Sequence, residues 1–154
     1  MQRERKKFIG HYIGGASRAL QALFTNELKA QNLSFEQGII LLVISEIPQI
    51  HISHIAKELK KNKATISREI NSLIAKGLIS AEVPKDDKRL KLFSLTPSGK
   101  DALNLIEDGI NKIENLFSAQ FSQQELDICL DVLSRMRLFI MEYMNLNLEN
   151  TLDE

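Results

Sequence analysis

A mainly α-helical fold with a small β-wing is predicted by three patterns. Two short helical segments lie close together within residues 53–76. A basic hairpin follows, whose tip reads Pro84-Lys85-Asp86-Asp87-Lys88-Arg89. Long apolar stripes at helical spacing flank both, at residues 8–28 and from Pro97 onward.

Each element has a local reason. Residues 8–28 place apolar side chains at 8, 9, 12, 13, 16, 19, 20, 23, 24 and 28, which makes a first long helix. Gly14-Gly15 in its middle costs roughly 1 kcal/mol per glycine relative to alanine, and suits close approach of a backbone or ligand. Ser34 and Gln37 have the spacing of a capping box and open a second helix. Its run at 39–44 is apolar all round, so burial on most sides is expected, and Pro48 stops it. Residues 50–52 are β-prone. Ser53 is placed to cap a short helix that turns Ile55, Ala56 and Leu59 inward, and Asn62 to cap the next, over 63–76.

That next helix is expected to bury Ile66, Ile70, Leu73 and Ile74, with Gly77 as its left-handed stop. Its other face shows Ala64, Thr65, Ser67, Arg68 and Asn71, side chains that are short or hydrogen-bonding. Residues 78–83 and 90–95 read as strands around the turn at 84–89. Thr96-Pro97 starts a helix, because threonine caps and proline is preset for the first helical position; Leu103, Ile106, Ile110, Ile113 and Phe117 form its stripe. Ser122 and Glu125 form another capping box, and Leu126, Cys129, Leu130, Leu133, Met136, Ile140 and Tyr143 mark a last long helix. The chain therefore reads as one domain over 1–154: a winged helix-turn-helix at 34–96, with terminal helices at 8–30 and 97–145. Those terminal helices carry far more apolar surface than the small winged part needs, so they are expected to be dimerisation helices of a symmetric homodimer.

At 154 residues, 44% apolar and 26% charged, the chain can bury an ordinary core, and wholesale disorder is excluded. One cysteine gives no internal disulfide framework. The basic start at 1–7 does not run into the apolar core of a signal peptide, and the longest apolar run, 38–44, is too short to cross a bilayer. A cytoplasmic protein with no membrane partner is the expectation. No phosphate loop, nucleophile elbow, paired metal-binding histidines or dinucleotide turn occurs, so neither enzyme activity nor a cofactor is expected.

The net charge of zero hides a strong asymmetry. Residues 57–91 hold ten Lys or Arg against five acidic residues, and residues 1–7 hold four against one; residues 101–154 hold three against eleven. One surface is suited to polyanions and another repels them. A helix-turn-helix lays its second helix in a DNA major groove, and a hairpin can hold an arginine in the neighbouring minor groove, whose negative potential favours it. Double-stranded DNA is thus the expected partner. Lys60, Lys61, Lys63, Lys85, Lys88 and Lys91 suit phosphates, which give affinity and salt dependence rather than sequence choice.

Several stretches in order resemble the MarR family of bacterial winged-helix repressors, and the similarity extends over nearly the whole chain. Asp87-Lys88-Arg89 resembles that family's acidic-x-arginine wing motif, and Leu95-Thr96-Pro97-Ser98-Gly99 the start of its next helix. Ile55-Ala56-Lys57-Glu58-Leu59, Thr65-Ile66-Ser67-Arg68-Glu69-Ile70 and Lys76-Gly77-Leu78-Ile79 resemble its helix-turn-helix and exit. The resemblance implies a dimer with two winged units and interlaced terminal helices. It further implies Arg89 in the minor groove with Asp87 holding it, and Thr65, Ser67 and Arg68 in the major groove, with Asn71 on the same face. Such a regulator, usually a repressor, binds a pseudo-palindromic operator and can be released by a small aromatic or lipophilic effector. Lys60-Lys61-Asn62-Lys63 departs from the smaller, less charged turn of many relatives, and Ala64 offers a base little beyond a methyl contact.

For an effector, His11, Tyr12 and Gly15 on the first helix are the candidate pocket wall, and core packing explains them equally well. Cys129 lies on the apolar stripe of the last helix, which favours a core thiol over a redox sensor. His51 and His54 straddle a strand-to-helix boundary without further ligands, so no metal site is expected. The alternatives left open are a winged module for protein or RNA contact, which would be expected to expose aromatic residues on its wing, and a redox-responsive regulator using Cys129.

Overall fold

The structure, a computed structural model, describes residues 8–150, excepting the side chains of Ala30 and of residues 145–150. The basic segment 1–7 lies outside the described residues. Helix α1 spans Ile9–Glu27 and runs through a 3-10 turn at Lys29–Gln31 to α2, Phe35–Glu46. Strand β1 (Ile50–His51), α3 (Ile52–Glu58) and α4 (Lys63–Ala75) follow, then β2 (Ile79–Glu82) and β3 (Leu92–Leu95). Two long helices complete the chain, α5 at Pro97–Gln120 and α6 at Gln123–Asn150. The three strands form an antiparallel sheet in the order β1-β3-β2, with Ile50 opposite Phe93 and Phe93 opposite Ala81.

Local chemistry sets most boundaries. The Ser34 hydroxyl accepts from the Gln37 amide, and the Gln37 side chain accepts from the Ser34 amide, so the capping box that opens α2 is complete. Asn62 Oδ1 accepts from Thr65 N–H at 2.8 Å and opens α4, which Gly77 closes at φ 71°. Thr96 Oγ1 donates to the Gly77 carbonyl and accepts from Gly99 N–H, tying the exit of α4 to the first turn of α5. Gly99 is required there, because a Cβ would overlap the Leu78 carbonyl oxygen.

The chain divides into two compact units after Asn111. In the first, α2 packs against α3, α4 and β3. Ile40, Leu41, Ile55, Ile70, Leu73 and Ile106 are nearly inaccessible, a single apolar core beneath α4 and the sheet. In the second, Ile113 is buried, and a box of Ser122 and Glu125 starts α6. No helix among the described residues is long and apolar enough to cross a membrane.

Four expectations change. The cap of α3 is His51, not Ser53: its Nδ1 accepts from His54 N–H, so the helix begins earlier. Ile74 is 38% exposed rather than buried, because it lies between the core stripe of α4 and its outer face and lines a cavity toward the wing. The second wing strand starts at Leu92, since Asp87 accepts from the amides of Arg89 and Leu90 and curls the preceding residues out of the ladder. Cys129 is exposed, as are Leu130, Leu133, Ile140 and Tyr143, so the stripe of α6 is not a core within this chain. The element covering it would have to be large and apolar, and the second unit contains little besides α6 and the end of α5.

Candidate nucleic-acid interface

Helix α4 has three sides. Ile66, Ile70 and Leu73 point into the core. At 3.6 residues per turn, Ala64, Ser67, Arg68 and Asn71 fall on the opposite side, where Ala64, Arg68 and Asn71 are exposed and Ser67 is half-buried. Thr65 stands on the flank between these sides. It is half-buried and lines a depression of about 320 Å³ with Leu59, Lys61 and Glu69.

A second cavity, of about 280 Å³, separates α4 from the wing. Ser67, Asn71 and Ile74 form one wall, Arg89, Leu90, Lys91 and Phe93 another, and His51 and Ser53 the rim. The fold thus brings four of the sequence-derived site residues, Ser67, Asn71, Arg89 and Lys91, around one concavity although they are far apart in sequence. Lys85, Asp87 and Lys88 sit apart from it on the exposed wing loop, and Lys63 is exposed at the first position of α4.

Among the described residues, the side-chain cations of Lys63, Arg68, Lys85, Lys88, Arg89 and Lys91 meet no carboxylate. These six cations outnumber the carboxylates of Glu69, Asp86 and Asp87 on α4 and the wing turn, so the net charge of this surface is positive. Asp87 lies close to Arg89 but acts on the main chain: its Oδ1 accepts from the Arg89 backbone N–H at 2.9 Å, shaping the turn and leaving the guanidinium unengaged. An arginine anchored by its backbone and extended by its side chain can reach beyond the protein surface.

Two contributors were not legible as site residues. His51 caps α3 through Nδ1, and the residue borders the same cavity. Ser53, expected as the cap, is released from that task and shares the rim. Their proximity in sequence to a strand boundary was the available signal.

The expected effector residues lie on α1. His11 and Tyr12 meet edge to face at 5.9 Å on α1; both are exposed, and Gly15 is half-buried. The two cavities beside α4 and a third of about 740 Å³ beside Arg18 and Phe35 are lined by other residues. Among the described residues, no group of three or more His, Cys, Asp or Glu is arranged to hold a metal ion.

A family model described as MarR family matches residues 31–90, which contain α2, α3, α4 and most of the wing. A Thauera aromatica protein, named for transcriptional regulation of the hcr operon, is 30% identical over 97 residues, covering 63% of this chain and 58% of its own. The chain thus spans about three-fifths of the length of this curated relative. The structure of the transcriptional regulator SlyA superposes with a TM-score of 0.77 at 30% identity, over 87% of this chain and 94% of that one. A Staphylococcus aureus MepR–DNA complex gives 0.79 at 23% identity, over 85% and 97%, a likeness of fold.

Proposed function

The chain belongs to the MarR family, and from that premise we propose that it is a sequence-specific, DNA-binding transcriptional regulator, acting in the cytoplasm as a homodimeric repressor on a pseudo-palindromic operator. One observation carries the reading. Ser67 and Asn71 of α4 and Arg89 and Lys91 of the wing converge on one concavity, on a surface of unpaired cations. A duplex is the partner that offers groove edges to the first pair and phosphates or a narrow minor groove to the second.

In this reading α4 lies in the major groove with Ser67, Arg68 and Asn71 toward base edges and Thr65 toward the backbone. The wing turn carries Arg89 into the minor groove. Lys63, Lys85, Lys88 and Lys91 neutralise phosphates, so affinity falls steeply with salt. The dimer is supported by apolar side chains that this chain leaves open, among them Phe8 at 71%, Phe139 at 67% and Leu130 at 66% exposure. Two α4 helices related by a two-fold axis would then meet half-sites about one turn, roughly 34 Å, apart. Repression follows from occlusion of a promoter. Release by a small aromatic or lipophilic effector against His11, Tyr12 and Gly15 is supported by the exposed aromatic pair on α1.

Selection of bound fragments from a random duplex pool tests the assignment. The expected product is an inverted repeat; absence of any enrichment over random competitor would overturn it. A redox-responsive version has one observation in its favour, the exposure of Cys129. It predicts that oxidation of the purified dimer abolishes operator binding in the wild type and spares Cys129→Ser. Equal sensitivity of the two proteins would reject it.

A further inference from the structure

Gln37 is the one buried polar side chain among the described residues, 7% exposed, and its amide is saturated. Oε1 accepts from Lys76 Nζ at 2.8 Å and from Ser34 N–H at 3.4 Å. Nε2 donates to the Glu69 carboxylate at 3.0 Å and to the Ser72 hydroxyl at 3.2 Å. A primary amide has two donors and one oxygen with two lone pairs, so nothing is left over. The amide can take only one orientation, because a flip would set its NH₂ against an ammonium group and its oxygen against a carboxylate.

Glu69 and Ser72 stand three residues apart on one flank of α4 and Lys76, its C-cap, four further on, so a single side chain of α2 grips the helix at two points and at its C-terminal end. Contacts of Ile66, Ile70 and Leu73 with the core are non-directional; they turn the apolar stripe of α4 inward but set its roll only coarsely. Charge-assisted hydrogen bonds are directional and fix it. Lys76 also donates to the carbonyl of Asn32, a residue held at φ 52°, which joins the segment ahead of α2 to the same network.

We propose that Gln37 is a positioning residue for sequence readout: by setting the roll of α4 it decides which base edges Ser67, Arg68 and Asn71 meet. The inference rests on the DNA-reading function proposed above. Phosphate contacts tolerate a small rotation of the helix, whereas base contacts do not.

The test compares the affinity of the full-length protein for its selected operator with that for a scrambled duplex at one salt concentration. Gln37→Glu turns a carboxylate toward Glu69, and Gln37→Glu with Glu69→Gln restores an amide-carboxylate pair with the partners exchanged. The operator-to-scrambled ratio is expected to fall roughly tenfold in Q37E, the scale of one misread base pair. Scrambled-duplex affinity should stay within about twofold, since the phosphate-facing lysines are untouched. The exchanged pair should recover most of the ratio. An undiminished ratio in Q37E, or a folded double variant that recovers none of it, overturns the proposal. Should Q37E fail to fold, Gln37→Met decides by the same ratio, an unchanged value again overturning it. A wild-type protein without operator preference would instead overturn the function on which the inference stands.

Discussion

Helices α4 and α6 are both amphipathic, yet they leave opposite sides uncovered. In α4 the apolar side is consumed by the chain itself, with Ile66 and Ile70 each 2% exposed and Leu73 inaccessible. What remains is a polar, cationic surface. In α6 the apolar side chains remain, Leu130 at 66%, Phe139 at 67% and Tyr143 at 61% exposure. The residual surface of each helix specifies the chemistry of its partner. A cationic surface with unpaired charges asks for a polyanion, and a long apolar one asks for another apolar surface, for which a second copy is the economical source.

The comparison breaks most readily at α6. Phe139 and Tyr143 stack at 6.3 Å with both rings exposed, and burial of an aromatic or aliphatic side chain of this size is worth about 1.5–3 kcal/mol. Phe139→Asp combined with Tyr143→Asp should therefore convert the proposed dimer to monomer in sedimentation equilibrium, with operator affinity falling in step. A dimer that persists would locate the interface elsewhere. At α4 and the wing, Arg89→Ala should cost about 1–3 kcal/mol of specific binding without lowering the melting temperature, because the side chain is exposed and supports no other group. Operator affinity equal to the wild type would remove the wing from the readout.

Asn62→Ala sharpens the contrast from the side of stability. Loss of the 2.8 Å bond to Thr65 N–H should destabilise the protein by about 1 kcal/mol in denaturant unfolding, as for other N-caps. The smallest effect belongs to the start of α6. The Ser122 hydroxyl, and secondarily its backbone amide, hold the Glu125 carboxyl below its ordinary value. A depressed folded value means that this contribution is present above the unfolded value and is lost as the pH falls through the folded one. Glu125→Gln should accordingly be slightly destabilising at neutral pH and indistinguishable from the wild type in strong acid, a difference measured by paired thermal melts.

Much of the fold was legible because its signals are local. The bonds of Ser34 to Gln37, Asn62 to Thr65, Thr96 to Gly99 and Ser122 to Glu125 each span three residues, so residue type and spacing suffice to place them. Gly77 was readable for the same reason. His51 was missed as a cap because an imidazole competes poorly with serine in the ordinary ranking, yet here its ring nitrogen lies in reach of the His54 amide. Asp87 was expected to brace the Arg89 side chain, whereas its short carboxylate accepts from the backbone amide two residues on.

Composition, charge asymmetry and helical periodicity were enough to predict a mainly α fold with a basic middle and a small wing, since these follow from the order of residues along the chain. Packing made the remaining choices. That Ser67 and Asn71 share a concavity with Arg89, that Ile74 borders it, and that Gln37 binds side chains more than thirty positions away depend on how distant segments meet. So does the open state of Cys129. Burial is a property of the neighbours a side chain acquires, and those neighbours, unlike a helix cap, are not written beside it in the chain.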